Sequence, residues 1–337
     1  MTFEIGVPNA LWVCLTLAIG AIAALLLGWM RGQKSGISPK RLLLCTALLP
    51  VLTAFFSHLC YCLVCVAEVA YSQTIGYWFA FWQNGQMMYG GILGAAIALA
   101  LAGGKERFRL MDAYAPSAAL MIAFARIAEG FHGQGYGEYW YEEPGFFCRF
   151  PFMAYDPYYE SWAWSLFMAG AVIALVLFAV LITRRPAFAG DHMLTLLGLY
   201  ASAQVVLESL RRDEFLRWGF VRAEELLSAV VILAVLILYW VRSGKARSVS
   251  KAVCTALFVT MVVFCLLLEF ATEGRIPFLV FLDVWHCYAL MAAACAVNAA
   301  CVLWMRRLSI RRKGDCKNEK NCFPSADAAY ACRLRRG

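Results

Sequence analysis

The sequence predicts an all-α membrane protein, a polytopic transmembrane helical bundle of about nine spans. Of its 337 residues, 62% are hydrophobic and 15% are charged, whereas a soluble globular protein has roughly 45–50% apolar and about 25% charged residues. The apolar residues form blocks near the roughly 20 residues that a helix needs to cross a bilayer. Such solid blocks favour helices over a barrel, whose strands alternate apolar and polar residues.

Nine spans are predicted in order along the chain. The first, residues 9–30, has no Lys or Arg before it and several basic residues soon after it. It is therefore interpreted as an uncleaved helix that starts outside the cell rather than as a signal peptide. The other spans are predicted at 42–70, 86–103, 111–130, 161–183, 191–210, 223–242, 252–271 and 284–305.

Basic residues in the loops predict the orientation of the chain. They gather in alternate loops, from residues 31–41 to residues 306–313, and the side rich in Lys and Arg is the cytoplasmic side. The amino terminus is therefore predicted outside and the carboxyl tail in the cytoplasm. Residues 211–222 break the trend, because they place four arginines in an outer loop.

Neither the net charge nor the cysteines indicate a nucleic-acid or metal-binding protein. The charge of +8 lies in short loops and the tail, and no nucleic-acid partner is expected. Many of the 14 cysteines lie in apolar blocks, where a reduced cysteine packs as a small hydrophobe. The group of His58, Cys60, Cys62 and Cys65 lacks the spacing of common zinc motifs, so packing is favoured over metal binding. We expect no metal and no cofactor.

Three regions are predicted along the chain. Residues 1–243 form the membrane core, residues 244–313 an additional transmembrane hairpin, and residues 314–337 a polar cytoplasmic tail. Within the core, residues 131–160 are rich in Tyr, Trp and Phe, whose rings settle at the headgroup level of a bilayer. This segment is therefore expected to lie along the outer interface.

Ionisable side chains at membrane depth mark candidate functional sites, because placing them in lipid is costly. The pairs Arg126 with Glu129, and Glu208 with Arg211, are the strongest candidates, since each pair is three residues apart and shares a helical face. Other carboxylates stand near span ends without a local partner, and the favoured interpretation is that they reach out to the interface. These are Glu160, Glu224, Glu225 and Glu269.

The segment 82–91 enters a span with three glycines and several amide side chains. Glycine allows close approach of a ligand and leaves N–H groups free to face an anion. Close packing of helices through small residues is an equally good interpretation of Gly94.

Four patches in this order resemble the prolipoprotein diacylglyceryl transferase family, over about residues 10–243. The family pattern W-E-G-G-M-S-F-H-G-G is matched at Trp82, Gly85, Gly90 and Gly91. The pattern R-[IL]-G-N-F-[IF]-N-G-E-x-x-G is matched at Arg126, Ile127, Gly133 and Gly137, after Asp112 and Pro116. The Q-L-Y-E patch is matched at Tyr159 and Glu160, and Y-x-x-x-R-x-x-x-E-x-x-R at Tyr200, Glu208 and Arg211.

The resemblance implies a multi-pass enzyme of the bacterial cell membrane. Such an enzyme moves the diacylglyceryl group of phosphatidylglycerol onto the lipobox cysteine thiol of a prolipoprotein and releases glycerol phosphate. The implied partners are phosphatidylglycerol, the prolipoprotein signal peptide and membrane lipids. The candidate substrate-binding residues are Arg126, Arg211, Gly90, Gly91, Gln134, Gly137 and Gln204. The candidate catalytic residues are Glu129, Tyr89, Tyr200 and Glu208.

Several reactive positions depart from the family pattern. Tyr89 stands where the family has His, Glu129 where it has Asn, and Gln134 where it has Glu. Gln204 replaces an Arg, and Val13 an early Tyr.

Transfer of an alkyl group from a phosphodiester to a thiol needs a thiolate, a stabilised leaving group and alignment of the two. Arg126 and Arg211 are candidate phosphate ligands, because the guanidinium fork matches phosphate oxygens. Glu129 is the candidate base. A Glu129 held in a salt bridge to Arg126 is an equally weighted alternative, and His132 is the competing base.

Other functional classes stay open. The chain is alternatively a catalytically altered lipid-binding relative, a transferase with another acceptor, or a transporter. Transport is less favoured, because the charged groups gather toward the outer face rather than at the midplane of the membrane.

Overall fold

The computed structural model describes residues 4–83, 85–140, 145–213, 215–218, 221–244, 248–272, 276, 279 and 283–318. Nine long helices dominate these residues, which confirms the predicted fold class. The helices are α1 Ala10–Lys34, α2 Pro39–Val64, the short α3 Val66–Ser72, α4 Met88–Gly103, α5 Arg107–Phe131, α6 Leu166–Thr183, α7 Asp191–Leu210, α8 Ala223–Ser243, α9 Ser248–Thr272 and α10 Val284–Asn318.

Eight stretches within the described residues are long and apolar enough to cross a membrane. One of them, Met88–Phe131, consists of two helices, α4 and α5, that reverse direction at a 3₁₀ turn, Gly104–Glu106. The reversal brings the start of α4 to the end of α5, where Met88 Sδ lies 4.0 Å from Arg126 Nη2. The nine predicted spans therefore correspond to nine separate helices.

Two predicted spans have different ends in the structure. The span at 42–70 ends at Val64, since α2 stops before Cys65 and the short α3 follows. The span at 161–183 begins only at Leu166, because Ser161–Ser165 is a β-strand. The predicted tail begins inside α10, and residues 319–337 of it lie outside the described residues.

A small antiparallel sheet, which the all-α prediction did not include, occupies the predicted interfacial segment. Its strands are β1 Tyr136–Trp140, β2 Met153–Asp156 and β3 Ser161–Ser165, in the order β1-β3-β2. Aromatic side chains favour a pleated, half-buried surface, and in β3 the fully buried Ala163 lies between two tryptophans. Two further short strands, β4 Arg217–Trp218 and β5 Val221–Arg222, form a hairpin before α8.

The residues before α1 are hydrogen-bonded to the sheet and to the turn after α5. Ile5 N donates to Tyr155 O over 2.9 Å, and Gly6 N donates to Gly133 O over 3.1 Å. Asn9 N donates to Phe131 O over 2.8 Å. We call residues 4–9 the amino-terminal clasp, because they join the first helix to the sheet and the fifth helix.

Helices α9 and α10 pack on α7 and α8 in one continuous apolar core, which includes Ile232, Leu236, Cys265 and Val302. At the end of the bundle away from the sheet, Arg306 of α10 forms an ion pair with the fully buried Asp191 of α7. Its Nε donates to Asp191 Oδ1 over 2.7 Å, and its Nη2 donates to Oδ2 over 2.6 Å. Next to this pair, Asp112 accepts hydrogen bonds from the backbone N–H groups of Gly190 and His192. Asp112 therefore caps the start of α7.

Candidate functional site

Charged residues from three helix ends meet beneath the small sheet. Arg126 lies in the last turns of α5, Glu208 in the last turn of α7, Arg211 just after α7, and Glu224 in the first turn of α8. Their side chains are only 2–7% exposed. Glu224 at a helix start and the two arginines at helix ends complement the helix dipoles. Glu208 lies at a helix end, where the dipole disfavours a carboxylate, and its charge is offset by Arg126 and Arg211.

Arg126 points its guanidinium toward four partners. Its Nε donates to Tyr200 Oη over 3.0 Å, and its Nη1 donates to Glu129 Oε2 over 2.5 Å. Its Nη2 lies 3.5 Å from Glu208 Oε1 and 3.9 Å from Glu224 Oε2. The orientation of the fork is therefore fixed by α5, α7 and α8 together.

Arg211 faces the same carboxylates from the other side. Its Nη1 lies 2.7 Å from Glu129 Oε1 and 3.1 Å from Glu208 Oε1. Its Nη2 lies 2.7 Å from Asp213 Oδ2. Arg126 and Arg211 thus share Glu129 and Glu208, which brings together the two residue pairs selected in the sequence.

Asp213 fixes the loop that follows α7. Arg222 Nη2 donates to the Asp213 carbonyl oxygen over 2.6 Å, and Gly135 N donates to Asp213 Oδ2 over 2.8 Å. Burial alone would raise the pKa of Asp213, but Arg211 and then Arg222 outweigh it, so this pKa lies below its ordinary value. Pairing with Asp213 thus explains why Arg211 and Arg222 lie in an outer loop, against the predicted distribution of basic residues.

Glu129 bridges the two arginines through its two oxygens. Oε2 faces Arg126 and Oε1 faces Arg211. The Glu129 side chain is 15% exposed, more than either arginine at 7% and 2%. The carboxylate therefore lies on the open side of the pair. Two converging guanidinium groups present N–H donors in a geometry that matches the oxygens of a carboxylate or another oxoanion.

A layer of amide and backbone groups lies behind the arginines. The buried Gln204 donates through Nε2 to Glu208 Oε1 over 2.5 Å and to Glu224 Oε2 over 3.3 Å. The backbone N of Met88 donates to Glu224 Oε1 over 3.0 Å. Gln204, which replaces a family arginine, is thus a neutral donor that holds two carboxylates close together.

Tyr89 borders this layer rather than facing the arginines in a direct hydrogen bond. It is buried, and its hydroxyl lies 2.6 Å from Ser228 Oγ. Ser228 Oγ in turn donates to the Glu224 carbonyl oxygen over 2.6 Å. Tyr89 is therefore linked to the first turn of α8, and its catalytic role stays a prediction.

The glycines of α4 contact α2. A Cβ atom added at Gly90 would lie 2.4 Å from the Phe56 carbonyl oxygen, and one added at Gly94 would lie 2.2 Å from the Leu52 carbonyl oxygen. At Gly91 the nearest atom to such a Cβ is the Thr53 methyl carbon, at 3.4 Å. Close helix packing explains Gly90 and Gly94, while substrate binding by Gly90 and Gly91 stays a prediction.

The remaining predicted binding residues lie around the turn after α5. The half-buried Gln134 donates its backbone N–H to the Glu129 carbonyl oxygen over 3.1 Å. A Cβ added at Gly137 would lie 3.2 Å from the Leu210 carbonyl oxygen. Glycine at 137 thus lets β1 approach the end of α7. His132, the competing base, lies in the same turn, and its Nδ1 is buried.

The interpretation of Glu224, Glu225 and Glu269 as interface-reaching side chains is wrong. They are 4%, 5% and 8% exposed, respectively. Glu224 belongs to the arginine cluster, whereas Glu225 is 3.4 Å from Ser209 Oγ and contacts Glu269. Their partners lie on other helices, and such contacts cannot be predicted when each span of the sequence is considered separately. Glu160 is exposed, in a turn between β2 and β3.

A bundle of long apolar helices, with two buried arginines that converge on shared carboxylates beneath a small sheet, defines a multi-pass membrane protein. The family described as prolipoprotein diacylglyceryl transferase matches residues 1–241. The chain belongs to that family, as the resemblance implied.

Three relatives illustrate the distance within the family, and each is named phosphatidylglycerol–prolipoprotein diacylglyceryl transferase. The one from Pseudomonas syringae pv. syringae is 27% identical over 191 residues, which is 52% of this chain and 67% of the relative. The one from Bacillus velezensis is 26% identical over 73% of this chain and 92% of its own length. The one from Clostridium kluyveri is 26% identical over 74% of this chain and 99% of its own length.

Proposed function

We propose that this chain transfers the diacylglyceryl group of phosphatidylglycerol to the lipobox cysteine thiol of prolipoproteins. The observation that carries the proposal is the convergence of Arg126 and Arg211 on one carboxylate, at 2.5 and 2.7 Å. The same arrangement suits the phosphate of a lipid headgroup. Membership of the family and the names of the relatives support this substrate pair.

The two arginines act on the leaving group. In the reaction the thiolate sulfur attacks the glyceryl carbon, the bond between that carbon and the phosphate oxygen breaks, and glycerol phosphate leaves. Negative charge grows on the phosphate as the bond breaks, and fixed cations in a water-poor site stabilise such charge strongly. Tyr200 and Glu208 hold Arg126 in place, at 3.0 and 3.5 Å.

Glu129 supplies the base in this proposal. A thiol has a pKa near 8.5 and needs a nearby acceptor to react at neutral pH. The family histidine is absent, since Tyr89 occupies its position. Tyr89 donates a hydrogen bond within the wall of the site.

The site is placed at the outer face of a bacterial cytoplasmic membrane. The helix ends that carry the site are opposite those that carry the loops with residues 31–41, 105–109 and 184–185. The positive-inside rule assigns these basic loops to the cytoplasm. Residues 1–243 form the catalytic core in this proposal, with residues 244–313 as an additional hairpin and 314–337 as a cytoplasmic tail.

A transfer assay tests the proposal. The purified chain is reconstituted in vesicles that contain acyl-labelled phosphatidylglycerol, and a synthetic lipobox peptide is added. Label should move to the peptide with its cysteine and not to a peptide with serine in that position. Retained phosphatidylglycerol binding without transfer would favour a catalytically altered lipid-binding relative. Transfer of label to another thiol but not to the lipobox peptide would favour a different acceptor.

A further inference from the structure

Glu129 occupies the place where the two arginines converge. Its two oxygens engage one nitrogen of each guanidinium, Nη1 in both cases. A phosphodiester resembles a carboxylate in carrying one negative charge and two equivalent non-bridging oxygens. The phosphate of the donor lipid therefore needs the same two N–H groups that Glu129 already holds.

The charge of the cluster disfavours binding both anions together. Among the described residues, the cluster contains three arginines and four carboxylates: Arg126, Arg211, Arg222, Glu129, Glu208, Glu224 and Asp213. A further anion raises the repulsion, because like charges in a poorly solvated site repel strongly. Of the four carboxylates, Glu129 has the most exposed side chain, at 15% against 2–7%. Glu129 is therefore the carboxylate that an incoming anion can most readily displace from the arginines.

The backbone of the turn after α5 packs against one side of Glu129. Gly135 permits this contact because it has no side chain, and an added Cβ would lie 3.0 Å from Glu129 Cδ. Gly135 has φ +74°, which glycine adopts without strain. The backbone on this flank is itself fixed, because Gly135 N donates to Asp213.

We propose that the phosphate of phosphatidylglycerol displaces Glu129 from Arg126 and Arg211, and that this release makes Glu129 the base for the acceptor thiol. The proposal deepens the proposed function and rests on it. While Glu129 bridges the two guanidinium groups, both of its carboxylate oxygens are engaged by N–H donors. Once displaced, an oxygen is available to accept the thiol proton. Lipid binding therefore precedes formation of the thiolate.

The proton and electrons balance along this path. The thiol proton moves to the Glu129 carboxylate, and the sulfur lone pair forms the new carbon–sulfur bond. The electron pair of the broken carbon–oxygen bond leaves on glycerol phosphate. The proton then passes from Glu129 to the departing phosphate or to water, and the Glu129 carboxylate returns to the arginines.

Binding of phosphatidylglycerol without an acceptor separates this proposal from the proposed function. In the wild-type chain the lipid phosphate competes with Glu129 for the two arginines. In Glu129→Gln, binding should be about tenfold tighter or more, since one charge-assisted competitor is lost.

Two further variants complete the binding experiment. Glu129→Asp keeps the charge but is too short to bridge both arginines, so it should bind the lipid more tightly and still transfer it. Glu68→Gln, on an exposed carboxylate of α3, is the matched control and should leave affinity and rate unchanged. Size-exclusion profiles and thermal midpoints establish that each variant is folded.

The transfer rate tests the second half of the proposal. Glu129→Gln should lower kcat by about a hundredfold or more, as loss of a general base does. Unchanged or weaker lipid binding by a folded Glu129→Gln would overturn displacement. Tighter binding with a normal kcat would overturn the base role and favour His132. If Glu129→Gln binds the lipid more tightly but the wild-type chain transfers nothing, the proposed function is refuted and displacement stands.

Discussion

Replacing Arg126 with lysine keeps the positive charge but removes the planar guanidinium group and its several N–H donors. Arg126 uses Nε to reach Tyr200 at 3.0 Å and Nη1 to reach Glu129 at 2.5 Å. Lysine ends in a single nitrogen and has no rigid plane, so one Nζ atom cannot occupy both positions. Arg126→Lys should therefore insert and fold, yet hold phosphate poorly.

The size of the effect follows from the hydrogen bonds that lysine cannot make at this position. One hydrogen bond to a charged group contributes roughly 1.5–3 kcal/mol. Removing one such bond from the transition state lowers kcat/KM by roughly tenfold to a hundredfold or slightly more. Because negative charge on the phosphate grows as the bond breaks, the larger share of the loss should fall on kcat rather than on KM.

The assay is transfer from labelled phosphatidylglycerol to the lipobox peptide in vesicles, at several lipid concentrations. Arg184→Lys is the matched control, since Arg184 is exposed at the end of α6, and it should transfer at the wild-type rate. An Arg126→Lys chain with near wild-type kcat/KM would refute the reasoning. Arg126 would then contribute only its charge, and the family resemblance would mislead at its most specific motif.

Three further results are expected from the packing and the topology. Gly94→Ala places a Cβ 2.2 Å from the Leu52 carbonyl oxygen, and the overpacking should cost roughly 1–3 kcal/mol. An unchanged thermal midpoint in detergent would contradict that close helix contact. Arg306→Met leaves Asp191 buried without its cation and should destabilise the bundle by roughly 3–5 kcal/mol, seen as a lower thermal midpoint; a wild-type midpoint would argue against the pair. A cysteine introduced beside Gly36 should react with an impermeant reagent only after permeabilisation, and labelling of intact cells would reverse the orientation.

The helices could be predicted from the sequence because the length and apolar composition of each segment indicate that it spans a membrane. The block 191–210 is predominantly apolar, and α7 has these same limits. Two ion pairs could also be predicted locally, because the partners in each are three residues apart on the chain. These are Arg126 with Glu129 and Glu208 with Arg211. Local spacing therefore predicted four of the seven members of the ionic cluster.

The rest of the cluster depends on contacts between distant parts of the chain. Glu224 meets Gln204 across α7 and α8 and receives the Met88 N–H, which lies 136 residues away in sequence. Nothing in the local sequence of Glu224 distinguishes it from a side chain that reaches the interface. The sheet was missed for another reason: its aromatic residues fit the membrane interface and a β-strand equally well.

The amino-terminal clasp sets an order on the assembly of this protein. Residues 4–9 leave the ribosome first, but their partners Phe131, Gly133 and Tyr155 are made later. At a synthesis rate of about 5–20 residues per second, the delay over about 120–150 residues is roughly 6–30 s. During that time residues 4–9 lack the partners that they have in the folded protein. The clasp can therefore form its hydrogen bond to the turn that carries Gly135, beside Glu129, only after more than a third of the chain has been made.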